Sequence, residues 1–298
     1  MASVVTTAGR YHAVDDALDR AGHGLVGVKL SLPVIAGRLR VGAQRLPSPV
    51  RERARHAYAY IPGPLRSRLA SVVDPRAPRG GRPRWGTLRS LRPYSSDYGW
   101  DRGTPVDRVA IAAFHMAHAR DIRGACLEVH DAHYTLRYGG GAVSSFDVLD
   151  IDPRNAEATV IADLGRPGSL PQQRYDCVLL TQTLHLIPDY VAALHNVFDA
   201  LRPGGVVLLT APTVSPHHPE DGLGHDLWRF TPAGLEHILH QVLPDAESEV
   251  QGYGNLITCV AFLNGLAAEE LRSDELHAVD PRFPLVAAAR IAKSDGLP

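Results

Sequence analysis

The stretch that most constrains the fold runs from Gly124 to Asp163 and reads GACLEVHDAHYTLRYGGGAVSSFDVLDIDPRNAEATVIAD. A short apolar run, Ala125 to Val129, ends in a polar turn, and glycines follow at 139 to 141. Two further apolar runs end in acids, at Asp147 to Asp152 and at Asp163. Ligands of an open parallel α/β sheet sit beyond the carboxyl ends of its strands. Three strands that each finish in a polar or acidic residue therefore predict a crevice for a nucleotide-type cofactor.

The alternation continues downstream. Tyr175 to Leu180 is a predicted strand followed by the polar turn Thr181-Gln182-Thr183, and Tyr190 to Leu201 has the apolar spacing of a helix. Arg202-Pro203-Gly204-Gly205 should end that helix, with glycine in the C-cap region. Val206 to Thr210 is an unbroken apolar run, suited to a strand buried on both faces. Pro232 to Leu243 reads as another helix, and Gln251 to Leu263 and Pro284 to Ala292 as late strands. Upstream, a helix from Pro105 to Arg120 is expected, with Thr104 as its N-cap. The fold class that follows is α/β, a doubly wound, mostly parallel sheet.

The first part of the chain differs. Residues 11–72 suggest short helices broken by glycine and proline, and residues 74–93 form a linker rich in Pro, Gly and Arg. The expected division is a basic helical appendage with its linker over residues 1–83 and an α/β domain over 84–298. The overall net charge of −1 hides an asymmetry, +11 over residues 1–108 against −12 over 109–298. A basic appendage of this kind suits docking on the acidic domain, on a second subunit to give a homodimer, or on a biosynthetic partner protein. No nucleic-acid partner is expected, because the basic part suits docking on the acidic domain and its preference for arginine also follows GC-rich coding. No apolar run approaches the roughly 18 to 20 residues of a membrane span. The first residues lack the charged start and apolar core of a signal peptide. Cys126, Cys177 and Cys259 fall in apolar runs, which predicts buried free thiols and a cytoplasmic protein.

Five segments in this order, CLEV, DVLDID, VIADL, RYDCVLLTQTLHLI and LRPGGVVLLTAP, resemble class I S-adenosylmethionine-dependent methyltransferases from about Arg84 onward. The flanking runs WDRGTPVDR, DLWRFTPAGLEHIL and YGNLITCVAFLNGLAAEEL resemble a bacterial subgroup often associated with glycosyltransferases or natural-product clusters. The resemblance implies a Rossmann-like methyltransferase fold, S-adenosylmethionine as cofactor and a small-molecule acceptor. It places the first cofactor turn at Glu128, His130, Asp131 and Tyr134, with Gly139 opening the glycines that follow. His130 stands where the family usually has its first turn glycine.

A ribose needs a carboxylate that accepts from both hydroxyls. Asp147 and Asp150 are the candidates, and Asp150 is slightly favoured by its distance from Glu128. Asp163 with the Leu164 backbone should address the adenine, and Thr181 and Gln182 the methionine end. Each acid has a structural alternative as a helix cap or loop carboxylate. Methyl transfer often needs a base for the acceptor's proton. The segment after the fifth strand offers His218, His225 and Asp226, with His185 as a further candidate. Arg102, Trp228 and Arg229 are candidate substrate contacts, and no spacing points to a bound metal. The expected function is methylation of a hydroxyl or amine on a sugar-containing or other specialised metabolite. The alternatives are a methyltransferase fold reused for elimination or cyclisation, as in natural-product or antibiotic biosynthesis, and a non-catalytic partner of another biosynthetic protein.

Overall fold

The computed structural model describes residues 86–217 and 226–295. The chain divides into two compact units, Met1–Arg89 and Ser90–Pro298. The expected appendage over residues 1–83 lies outside the described residues, and the second unit is described below.

Its frame is a seven-stranded sheet in the order β3-β2-β1-β4-β5-β7-β6. The strands are β1 Gly124–Val129, β2 Val143–Asp150, β3 Val160–Ile161, β4 Tyr175–Thr181, β5 Leu201–Pro212, β6 Glu247–Tyr253 and β7 Val286–Ala292. β1 to β5 pair in parallel, and β7 runs antiparallel to both β5 and β6. Successive strand side chains point to opposite faces, so continuous apolar runs feed two cores at once. On one face Leu127, Val207, Leu209 and Ala289 pack with α2 (Tyr190–Asp199) and α3 (Pro232–Val242). On the other, Cys126, Leu208 and Ala288 meet Phe114 of α1 (Val106–Ala117). Beside them, α4 (Leu256–Leu263) adds Cys259 and Phe262. The three cysteines are free and buried, and no described helix is long and apolar enough to cross a membrane.

Several sequence expectations change in detail. The run Gln251 to Leu263 is not one strand, because β6 ends at Tyr253 and α4 begins at Leu256. Asn255 makes the break. Its side chain accepts from the Ile257 and Thr258 N–H groups, and Thr258 Oγ1 accepts from the Asn255 N–H, which closes a capping box. The helix expected to Leu201 stops at Asp199, and Leu201 to Gly205 already belong to β5. Thr104 does not cap α1. Its N–H and hydroxyl both donate to the Glu269 carboxylate, at 3.0 and 2.7 Å.

Candidate active site

β1 sends the chain to β2 on one side of the sheet, and β4 sends it to β5 on the other. Their shared end is the switch point at which open α/β sheets bind ligands. A cavity of about 1190 Å³ opens there, above the 300–1,000 Å³ typical of a single small-molecule site. It is lined by Glu128 to Asp131 at the end of β1, Leu149 to Ile151 at the end of β2, Ala162 to Leu164 after β3 and Thr181 to Thr183 at the end of β4. Arg108, Ala112 and Met116 of α1 form one wall.

The turn after β1 is built on Glu128. This side chain is 2% exposed, and its two oxygens accept from the Tyr134 N–H at 3.0 Å and the Thr135 N–H at 2.7 Å. Burial pushes its carboxyl above the ordinary range, against the lowering effect of those amide bonds. His130 has φ 75°, the left-handed region that glycine enters freely and a side chain enters at a penalty. The backbone of the usual glycine turn is thus retained with an imidazole attached. Asp131 and Tyr134 line the cavity, but Gly139 does not. It is the last residue of a single turn of π-helix, where an added Cβ would lie 2.8 Å from Ile122 Cγ2 and 2.9 Å from the Ile122 carbonyl oxygen. Gly139 therefore serves close packing below the site.

The two candidate ribose acids are separated by their surroundings. Asp147 points away from the cavity and accepts from Thr159 Oγ1, Arg174 Nη2 and Tyr175 Oη at 2.8, 2.7 and 3.0 Å. Asp150 lines the cavity. Its Oδ1 accepts from the Asp152 N–H at 2.9 Å, and its Oδ2 accepts from Asn155 Nδ2 at 2.7 Å with His130 Nδ1 at 3.3 Å. Burial alone would raise its carboxyl, but the donors from Asp152, Asn155 and His130 outweigh burial and hold it below the ordinary value. Asn155 also donates to the His130 carbonyl at 2.8 Å and so ties the two strand ends together. Sequence reading missed this residue; an Asn five positions past the acid was its only signal.

Asp163 and Leu164 reach the cavity, as do Thr181 and Gln182. The loop carrying Leu164 is pinned by the buried Asn196 of α2, which donates to the Leu164 and Arg166 carbonyls at 2.8 and 2.7 Å. Gln182 has φ 46°, and its buried side-chain nitrogen has no hydrogen-bond partner. An orphaned donor on a strained residue at a cavity wall fits a polar ligand group.

The remaining candidates lie elsewhere. His218 and His225 fall outside the described residues. His185, Asp226, Trp228 and Arg229 form one cluster that does not line the cavity. Within it Arg229 holds Asp226, Trp228 Nε1 donates to the Ile187 carbonyl, and the His185 carbonyl accepts from the Leu227 and Trp228 N–H groups. Arg102 is paired in a two-bond fork with Glu270 and is likewise outside the cavity. No group of three or more His, Cys, Asp or Glu side chains suited to a metal ion occurs among the described residues.

Two histidines stand beside the site, His115 fully buried behind Thr181 and His185 half-buried in the outer cluster. His115 is 0% exposed, lies 3.0 Å from Thr181 Oγ1 through Nε2 and stacks on Tyr134. Burial, helped by His118, pushes it down from 6.5 to about 3. Burial likewise pushes His185 down to about 4, with Arg229 adding to the effect and Asp226 opposing it. The unfolded chain takes up a proton at each near pH 6.5 while the folded chain does not, so stability falls as pH drops below that value. Between pH 7 and 5 the loss is on the order of 2 kcal/mol for each histidine. Urea midpoints should fall over that range, and His115→Gln should roughly halve the slope; an unchanged slope would count against a buried neutral His115.

The chain matches no curated protein. Similar solved structures include an S-adenosylmethionine-dependent methyltransferase from Mesorhizobium loti, with 16% identity and TM-score 0.43 over 63% of this chain and 100% of that one. The cyclase SpnF shows 13% identity and TM-score 0.43, over 70% of this chain and 88% of that one. The DhpI complex with SAH shows 19% identity and TM-score 0.41, over 63% and 87%. The profile described as a methyltransferase domain matches residues 87–254, which is more than half of the 298 residues and spans β1 to β6 with every strand-end acid of the cavity. The chain belongs to this methyltransferase-domain family.

Proposed function

We propose that the cavity holds S-adenosylmethionine with its ribose on Asp150, its adenine beside Asp163 and Leu164, and its methionine end toward Thr181 and Gln182. The observation that carries this reading is the Asp150 carboxylate, presented at the switch point and aimed by Asn155 and the Asp152 N–H. The bound cofactor supplies an electrophilic methyl group. The chain's part is to orient the acceptor in line with that methyl and to receive the acceptor's proton. The proposed acceptor is a hydroxyl or amine of a sugar-containing or other specialised metabolite, with His218 or His225 as the base. The volume supports cofactor and acceptor together, and Trp100 and His277 line the cavity away from the strand ends. Calorimetric titration of the full chain with S-adenosylmethionine and S-adenosylhomocysteine tests the reading. Saturable binding is expected for both, and absence of binding at millimolar cofactor would remove it.

One observation favours the second reading, a methyltransferase frame used for elimination or cyclisation. His130 occupies both the glycine slot and part of Asp150. An ionised carboxylate offers about four acceptor positions, and Asp152, Asn155 and His130 already take three. Two ribose hydroxyls need two, so one donor must leave. His130 makes the longest of the three contacts and its side chain is 79% exposed, which makes it the one that swings out. His130→Gly should therefore bind S-adenosylhomocysteine more tightly, by about fivefold if roughly 1 kcal/mol of competing contact is removed. A weaker variant would instead show that the imidazole itself contacts the cofactor and would favour retuned chemistry.

A further inference from the structure

Arg108 lines the cavity, and its guanidinium holds no carboxylate within hydrogen-bond length. Its closest carboxylate oxygen is Asp107 Oδ2, 3.9 Å from Nε, which is beyond hydrogen-bond length. The Nε is buried without a hydrogen-bond partner, and so is Asp107 Oδ1. The guanidinium carbon lies 5.8 Å from the Trp100 ring centroid. The Tyr134 hydroxyl is within its reach, and Asp131 acts on it from farther away. Arg102, Arg229 and Arg290 behave differently, since each holds a carboxylate with a two-bond fork. A guanidinium at a cavity wall without that fork retains the planar donor set that receives carboxylate or phosphate.

The backbone of Arg108 lies at the N-terminal end of α1, and its guanidinium reaches Tyr134 of the turn after β1. Arg108 precedes His115 on α1 by seven residues, which is about 10 Å of helix rise, and His115 touches Thr181 at the end of β4. Arg137, whose guanidinium lies over the Tyr138 ring, adds a second cation to the lining. We propose that the acceptor is anionic, and that Arg108 receives its carboxylate or phosphate while the nucleophile is held toward Thr181. The proposal rests on the methyl-transfer reading of the cavity.

The test uses the full chain, with and without saturating S-adenosylhomocysteine, titrated with benzoate, phenyl phosphate and neutral benzamide. At least one anion should bind roughly tenfold tighter than benzamide, and Arg108→Gln should bring the two within about twofold, as loss of a charge-assisted fork requires. Preference for benzoate alone assigns a carboxylate, and preference for phenyl phosphate alone assigns a phosphate. The proposal is overturned if neither anion exceeds benzamide or if the preference survives in Arg108→Gln. It is also overturned if Arg108→Gln chiefly weakens S-adenosylhomocysteine while leaving 5′-methylthioadenosine unchanged, because the anion is then the cofactor's own carboxylate. Titration without cofactor keeps the anion result readable even if cofactor binding fails, so the two failures are distinguishable.

Discussion

Asp150→Ala is expected to weaken S-adenosylhomocysteine binding by roughly two to four orders of magnitude, since two hydroxyl donors to a charged acceptor contribute about 1.5–3 kcal/mol each. Asp150→Asn keeps one acceptor oxygen and should lose about one order. The folded chain should tolerate both changes. Asp150 is partly exposed, and its internal partners are the Asp152 N–H, Asn155 and His130, of which His130 is free to turn to water. Asp147→Ala is the control that separates the two acids. It should leave cofactor affinity within about twofold while lowering stability by about 1 kcal/mol, because Tyr175 and Thr159 lose their acceptor. If calorimetry finds the large loss at Asp147 and not at Asp150, the cofactor does not lie across the switch point as proposed.

That contrast also shows where sequence reading stops. Alternation of apolar runs with helical spacing was enough to place β1, β4, α2 and α3, because a sheet buried on both faces demands unbroken apolar strands and amphipathic cover. The acids at strand ends were legible for the same reason. Which acid faces the ligand was not, because Asp147 and Asp150 lie three residues apart on one strand. Opposite pleat faces and different neighbours, Arg174 and Tyr175 for one and Asn155 for the other, settle their surroundings. Gln251 to Leu263 reads as one strand because the eight-residue apolar run within it, Leu256 to Leu263, has no decisive period, and the reciprocal bonds of Asn255 and Thr258 turn that run into a helix. Charge alone could not rank Arg102, just before α1, and Arg108, in its first turn. The two glutamates that occupy Arg102 and Thr104 are 165 or more residues away in the chain. The seven-residue spacing of Arg108 from His115 was the available signal, since both then fall on one side of the helix.

Glu128→Ala should show the opposite signature to Asp150→Ala, with a loss of fold before any loss specific to cofactor. Glu128 is almost fully buried, and its two oxygens satisfy the Tyr134 and Thr135 amides. Truncation leaves two buried N–H groups without acceptors, at about 1–3 kcal/mol each, and the void adds to this, for roughly 3–5 kcal/mol in all. For a domain of this size that corresponds to a fall of about 10 °C in melting temperature without cofactor. Glu128→Gln retains one acceptor but sets an amide NH₂ against a backbone N–H, so about half of that loss is expected. The carboxyl is raised by burial, so the folded chain holds the proton at a higher pH than the unfolded chain. Its contribution to stability is greatest below the ordinary carboxyl value of 4.5 and declines as pH rises through the folded value. Glu128→Gln, which cannot ionise, should lose that component of the acid-side profile. The same glutamate fixes His130 through the turn it closes, so cofactor affinity should fall in both variants in proportion to the lost order of residues 130–134. Retention of full affinity in a destabilised Glu128→Ala protein would show that the turn after β1 can be rearranged without disturbing the cofactor. The glycine-slot histidine would then have no bearing on cofactor affinity.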